Sequence, residues 1–183
     1  MVASRNKMRL YLGYWWRQAT LENPGKYHVG LFLTPKNPKN DKRTATIYHA
    51  VNRITDGGIW KFECIPASCR TPRRAGCMLL GKVPPKFGPK DIEEILRRVR
   101  VPSQEEAEEE KWRCRHWVCD ALTLLVVEGV IPELPVSPHD LWDTGRIFVE
   151  SRTSGIPNYG KPLYTCNTMG EEIPSEISAL DTH

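Results

Sequence analysis

Glu110-Lys-Trp-Arg-Cys114-Arg-His-Trp117-Val-Cys-Asp-Ala-Leu-Thr-Leu-Leu-Val-Val-Glu128-Gly129 is the stretch on which the fold turns. Counted from Cys114, its apolar residues Trp117, Val118, Ala121, Leu122 and Leu125 fall at steps of 3, 4, 7, 8 and 11. That spacing is one buried face of an α-helix. Gly129 follows as a C′ residue, and Pro132 blocks a restart. The acidic run Glu105 to Glu110 is expected at the helix N-terminus, where carboxylates complement the dipole. A thiol therefore sits near the N-terminal end of a core helix, on its inward stripe. Helix N-termini lower thiol pKa values, and the thiolate is the nucleophile. Cys114 is thus a candidate catalytic nucleophile.

Working outward, the segment before it reads as strands. Tyr27–Leu33, Thr44–Val51, Ile59–Ile65 and Cys77–Val83 are short apolar or β-branched runs bounded by Pro, Gly and polar residues. Asp56-Gly57-Gly58 suits a turn between antiparallel neighbours, and Asn23-Pro24-Gly25 is a further turn signal. Pro89–Val99 carries Ile92, Ile95, Leu96 and Val99 on one helical face. Another helix is expected from Ser137 or His139 to about Glu150. Strands followed by helices indicate an α+β fold, an antiparallel sheet of about four to five strands backed by helices. Residues 1–22 read as an irregular N-terminal extension packed on the core, 23–153 as the domain, and 154–183 as an irregular tail whose last dozen residues are expected to be disordered.

At 183 residues the chain suffices for one domain with a sizeable core. A net charge of +4 is spread too thinly for a nucleic-acid footprint, so no nucleic-acid partner is expected. No apolar run reaches the roughly 20 residues of a membrane span. No hydrophobic segment follows the charged first residues, so a cytoplasmic protein with reduced thiols is expected. Cys64, Cys69 and Cys77 lack the close pairs of a structural zinc site. Neither a phosphate-binding glycine loop nor a dinucleotide fingerprint is present. No metal or cofactor is expected.

A cysteine nucleophile needs a base, and the base needs an orienting group. Of the five histidines, His183 is terminal, His139 opens a helix, and His116 lies two residues from Cys114 on another helix face. His28 and His49 remain, each inside an expected strand. Neighbouring strands can set two imidazoles side by side facing the end of a helix packed on the sheet. One would take the thiol proton and the other would orient it.

Tyr27-His28-Val-Gly-Leu-Phe-Leu, Ile47-Tyr48-His49-Ala-Val and Trp112-Arg-Cys114-Arg-His-Trp117-Val together resemble an uncharacterised fungal domain family. Its members carry strands like H-W-A-L-F and I-H-V-V and a helix like N-C-x-x-W-V. The resemblance covers roughly residues 26–150. The order of elements is also similar to circularly permuted NlpC/P60 papain-like proteins, among them the lecithin-retinol acyltransferase-like and PPPDE-type groups. It implies a permuted papain-like architecture with Cys114 as nucleophile, His28 as base and His49 as orienting group. The activity implied is acyl transfer through a thioester, as amide or ester hydrolase or as acyltransferase, on a peptide, lipid or small acyl substrate. Tyr27, Trp112 and Trp117, beside those residues in the motifs, are the expected substrate contacts. Arg113 stands where the family often has asparagine, and Arg115 follows; both cations favour a thiolate. The competing expectation is a non-catalytic binding module, with Cys114 as core packing and Trp15, Trp16, Trp112 or Trp117 lining a groove.

Overall fold

The computed structural model describes residues 8–17, 26–39, 43–153 and 160–179. The Asn23-Pro24-Gly25 turn and the last four residues lie outside these. Strands β1 (Met8–Trp16), β2 (Tyr27–Pro35), β3 (Ala45–Val51), β4 (Lys61–Ala67) and β5 (Arg74–Lys82) come first. Helices α1 (Pro89–Leu96), α2 (Gln104–Glu109), α3 (Cys114–Val127) and α4 (Pro138–Arg152) follow, then the short strand β6 (Thr165–Cys166). The fold is α+β, with a mixed six-stranded sheet in the order β4-β3-β2-β1-β5-β6. All pairs are antiparallel except β5–β6.

Residues 8–16 correct the expectation of an irregular N-terminal segment. They form β1, hydrogen-bonded to β2 on one side and β5 on the other. The strand escapes an alternation test because both its faces are covered. Leu10, Leu12 and Tyr14 join the cluster beneath the helices. Tyr11 joins a second cluster on the opposite face, with Trp15 packed against it. Gly13 is small for a reason: a Cβ there would lie 2.5 Å from the Trp15 ring. The tail is also more ordered than expected. Leu163 and Ile177 are buried in the second cluster, and β6 extends the sheet.

The α3 stripe is buried as its spacing requires: Cys114, Trp117, Val118, Ala121, Leu122 and Leu125 all face the core. Trp117 is fully buried and stacks on Phe62 of β4 with ring centroids 5.6 Å apart. The acidic run does not open this helix. It forms α2, whose N-cap Ser103 accepts from the Glu106 amide. Lys111 then turns the chain with φ 51°, and α3 begins at Cys114 itself. Gly129 ends it at φ 70°, its amide donating to the Val126 carbonyl. Ser137 caps α4 by accepting from the Asp140 amide at 3.1 Å.

Candidate active site

Cys114 is the first helical residue of α3. Arg113 before it is extended (φ −146°, ψ 168°), and its amide donates to Nδ1 of His116 at 2.8 Å. His116 thus satisfies an amide at the open end of the helix. Cys114 is 5 % exposed and belongs to the helix-side core. The backbone amides of Val29 and Arg115 face its sulfur and favour the thiolate form. Burial pushes the thiol pKa up; those amides and the charges of Arg17 and Arg115 oppose that rise without cancelling it. The resting thiol is therefore protonated near neutrality, against the expectation that nearby cations would make it a thiolate.

The Val29 contact places the thiol on the backbone directly after His28. There β2 is losing its partner. The β2–β3 register covers Leu31 to Leu33 of β2, while β1–β2 pairing continues to Tyr27. Where that ladder stops, buried backbone groups need other partners. The Val29 amide faces Cys114. Across the same opening, His28 Nε2 lies 2.9 Å from His49 Nδ1, the rings 5.0 Å apart at 66°. Gly30 permits this approach, since a Cβ there would lie 2.8 Å from the His49 Cβ.

Opposite His49 in the β3–β4 register stands Glu63. Its Oε2 is 3.6 Å from His49 Nε2. Arg53 grips both Glu63 oxygens, one of them at 2.6 Å, and Lys61 reaches it at 3.3 Å. The Arg53 hydrogen bonds hold the Glu63 carboxyl below its usual range, so it is ionised. Burial drives the His28 pKa down to about 3, helped by His49, Arg17 and Arg53. Burial likewise lowers His49 to about 4, with Glu63 pulling the other way. Both imidazoles are neutral at pH 7.

Beside the pair opens a cavity of about 320 Å³, lined by Trp15, Trp16, His28, His49 and Arg73 among others. The sequence-expected substrate contacts lie elsewhere. Tyr27, Trp112 and Trp117 are buried in the helix-side core, Trp112 against Trp60 and Trp117 against Phe62. The aromatic wall is built by β1 instead. The structure thus joins His28 to His49, but on the sheet face that carries Phe32 and Ile47, whereas Cys114 lies with Val29 in the helix-side core; the two imidazoles do not face the end of α3, and no hydrogen bond joins the thiol to either imidazole among the described residues. Glu63 and Arg53 were not anticipated. The signal for Glu63 was its place opposite His49 across the Asp56-Gly57-Gly58 turn.

Among the described residues no group of three or more His, Cys, Asp or Glu could hold a metal ion, and no helix is long and apolar enough to cross a membrane. All six cysteines are free, and Cys64 on β4 and Cys77 on β5 are separated by three strands. No curated protein and no solved structure matches the chain. A family model of unknown function, DUF6914, matches residues 7–154. That stretch includes His28, His49, Glu63 and Cys114, and the chain belongs to this family.

Proposed function

We propose that the chain is a cysteine-dependent acyl-transfer enzyme, an amide or ester hydrolase or an acyltransferase, on a permuted papain-like fold. One observation carries the reading. The Cys114 sulfur, at a helix N-terminus, faces the Val29 amide, the backbone group next after His28, and one nitrogen of His28 is held by His49. Nδ1 is the His28 nitrogen that His49 leaves open, and in this reading thiol and imidazole meet from opposite faces of the sheet where β2 and β3 part. A nucleophile, its base and an orienting group in series are the parts such catalysis needs. Apo sites often hold these groups looser than hydrogen-bond distance.

In this mechanism His28 Nδ1 takes the Cys114 proton as Sγ attacks the substrate carbonyl carbon. The tetrahedral oxyanion is met by the Cys114 amide at the open end of α3. Collapse breaks the bond to the leaving group, which takes the proton from His28, and leaves a thioester on Cys114. Water, an amine or an alcohol then attacks the thioester, losing its proton to His28. A peptide, lipid or small acyl substrate would use the Trp15–Trp16 cavity. A cytoplasmic setting belongs to this reading and suits six free thiols.

Incubation with p-nitrophenyl acetate tests it. The Cys114 peptide is expected to gain one acetyl group in mass spectrometry, with a burst of nitrophenolate, and both are lost in Cys114→Ser. The rival reading is a binding module, favoured by a cavity whose wall does not include Cys114. It predicts no acetylation of Cys114 and quenching of Trp15 and Trp16 fluorescence by a ligand, unchanged in Cys114→Ser.

A further inference from the structure

We infer that Glu63 is a positioning residue of this site, whose carboxylate sets the tautomers of His49 and His28 so that His28 Nδ1 is left unprotonated. The inference rests on the Cys–His reading above. Glu63, His49 and His28 stand on β4, β3 and β2 in that spatial order, on one face of the sheet. His49 Nε2 is buried without a hydrogen-bond partner, and 3.6 Å away is the Glu63 carboxylate. A carboxylate only accepts, so it favours a hydrogen on Nε2 of His49. The opposite tautomer would turn an imidazole lone pair toward that anion in a buried place, which is costly.

With the hydrogen on Nε2, His49 Nδ1 can only accept. The 2.9 Å contact then requires His28 Nε2 to donate. A neutral His28 protonated on Nε2 has its lone pair on Nδ1, the nitrogen a general base needs. The direction of the whole chain follows from the negative end. That end is fixed in turn: Arg53 and Lys61 keep Glu63 ionised and in place. Other charges near the two rings, Arg17 and Arg53, are cations that disfavour a second proton on either ring. Carboxylates that orient a metal-bound imidazole in the same way change activity about 10–100-fold when removed.

The test is a two-bond ¹⁵N–¹H correlation spectrum of the histidine rings at pH 7, recorded on the full chain and on Glu63→Gln, with iodoacetamide labelling of Cys114 in both. Wild type is expected to show His49 and His28 as Nε2–H tautomers. Glu63→Gln offers a donor as well as an acceptor, so mixed tautomers and labelling slowed about tenfold are expected. A wild-type spectrum with His49 protonated on Nδ1 overturns the inference, and it does so even if the variant does not fold. Unchanged tautomers and labelling in a folded Glu63→Gln also overturn it. The spectrum needs no reactive thiol and can be repeated in Cys114→Ser. Failure of the Cys–His reading would instead show as Cys114 labelling indifferent to His28→Ala.

Discussion

His28 Nε2 and His49 Nδ1 lie 2.9 Å apart at the point where their two strands stop pairing through the backbone. Imidazole replaces amide and carbonyl as the bridge between β2 and β3. The swap leaves a side-chain contact where a ladder would otherwise run, with the Val29 amide facing the Cys114 thiol.

The pair makes stability fall in acid. Both folded-state pKa values, about 3 and about 4, lie below the ordinary histidine value of 6.5. Below about pH 6.5 the unfolded chain binds protons that the folded chain refuses, so stability drops as pH falls. The loss levels off only below the folded pKa values. Each histidine contributes a slope approaching roughly 1.4 kcal/mol per pH unit. Urea unfolding at pH 7 and pH 5 is expected to show a lower midpoint at pH 5. In His28→Phe the difference between the two pH values is expected to shrink.

Gly30 spaces the two strands. Its replacement by Ala would set a Cβ 2.8 Å from the His49 Cβ and 3.0 Å from the Tyr48 carbonyl oxygen. Both neighbours are anchored, so β3 must move. A cost of about 1–3 kcal/mol is expected, as for other overpacked sites. Labelling of Cys114 is expected to slow while the protein stays folded. Equal labelling in wild type and Gly30→Ala would show that the histidine spacing does not matter to the thiol.

Two core positions separate fold from site. Trp117→Ala removes a fully buried ring stacked on Phe62, and about 3–5 kcal/mol of stability should go with it. Gly145→Ala would drive a Cβ into the Tyr14 hydroxyl group and to 2.9 Å from its Cζ. That contact displaces the hydroxyl from the Trp142 carbonyl it donates to at 2.7 Å. Overpacking of this kind costs about 1–3 kcal/mol. Denaturant midpoints check both, and the acid dependence assigned to the histidines should persist in each.

The parts of this molecule with one buried face were readable in advance. The α3 stripe shows its period, and its buried residues match it. Two histidines in successive strands were expected to be neighbours, and β2 and β3 do pair. Reading failed where burial is two-sided or depends on register. β1 is covered on both faces, so Leu10 to Trp15 carry no alternation to detect. The acidic run looked like the start of α3, yet Lys111 breaks the chain in a left-handed conformation that no local pattern announces. Trp112 and Trp117 flank the cysteine in sequence, but helix geometry turns them into the core. Glu63 meets His49 only through the β3–β4 register, which emerges once the strands are paired.

Alkylation of Cys114 by iodoacetamide from pH 4 to 9, with peptide mapping to separate the six thiols, tests the central claim most directly. Labelling of Cys114 is expected at neutral pH, at a rate that falls at least about tenfold in His28→Ala, in keeping with the loss of a general base. Labelling that rises only in alkali, at the same rate with and without the His28 imidazole, would contradict it and leave Cys114 as a core residue.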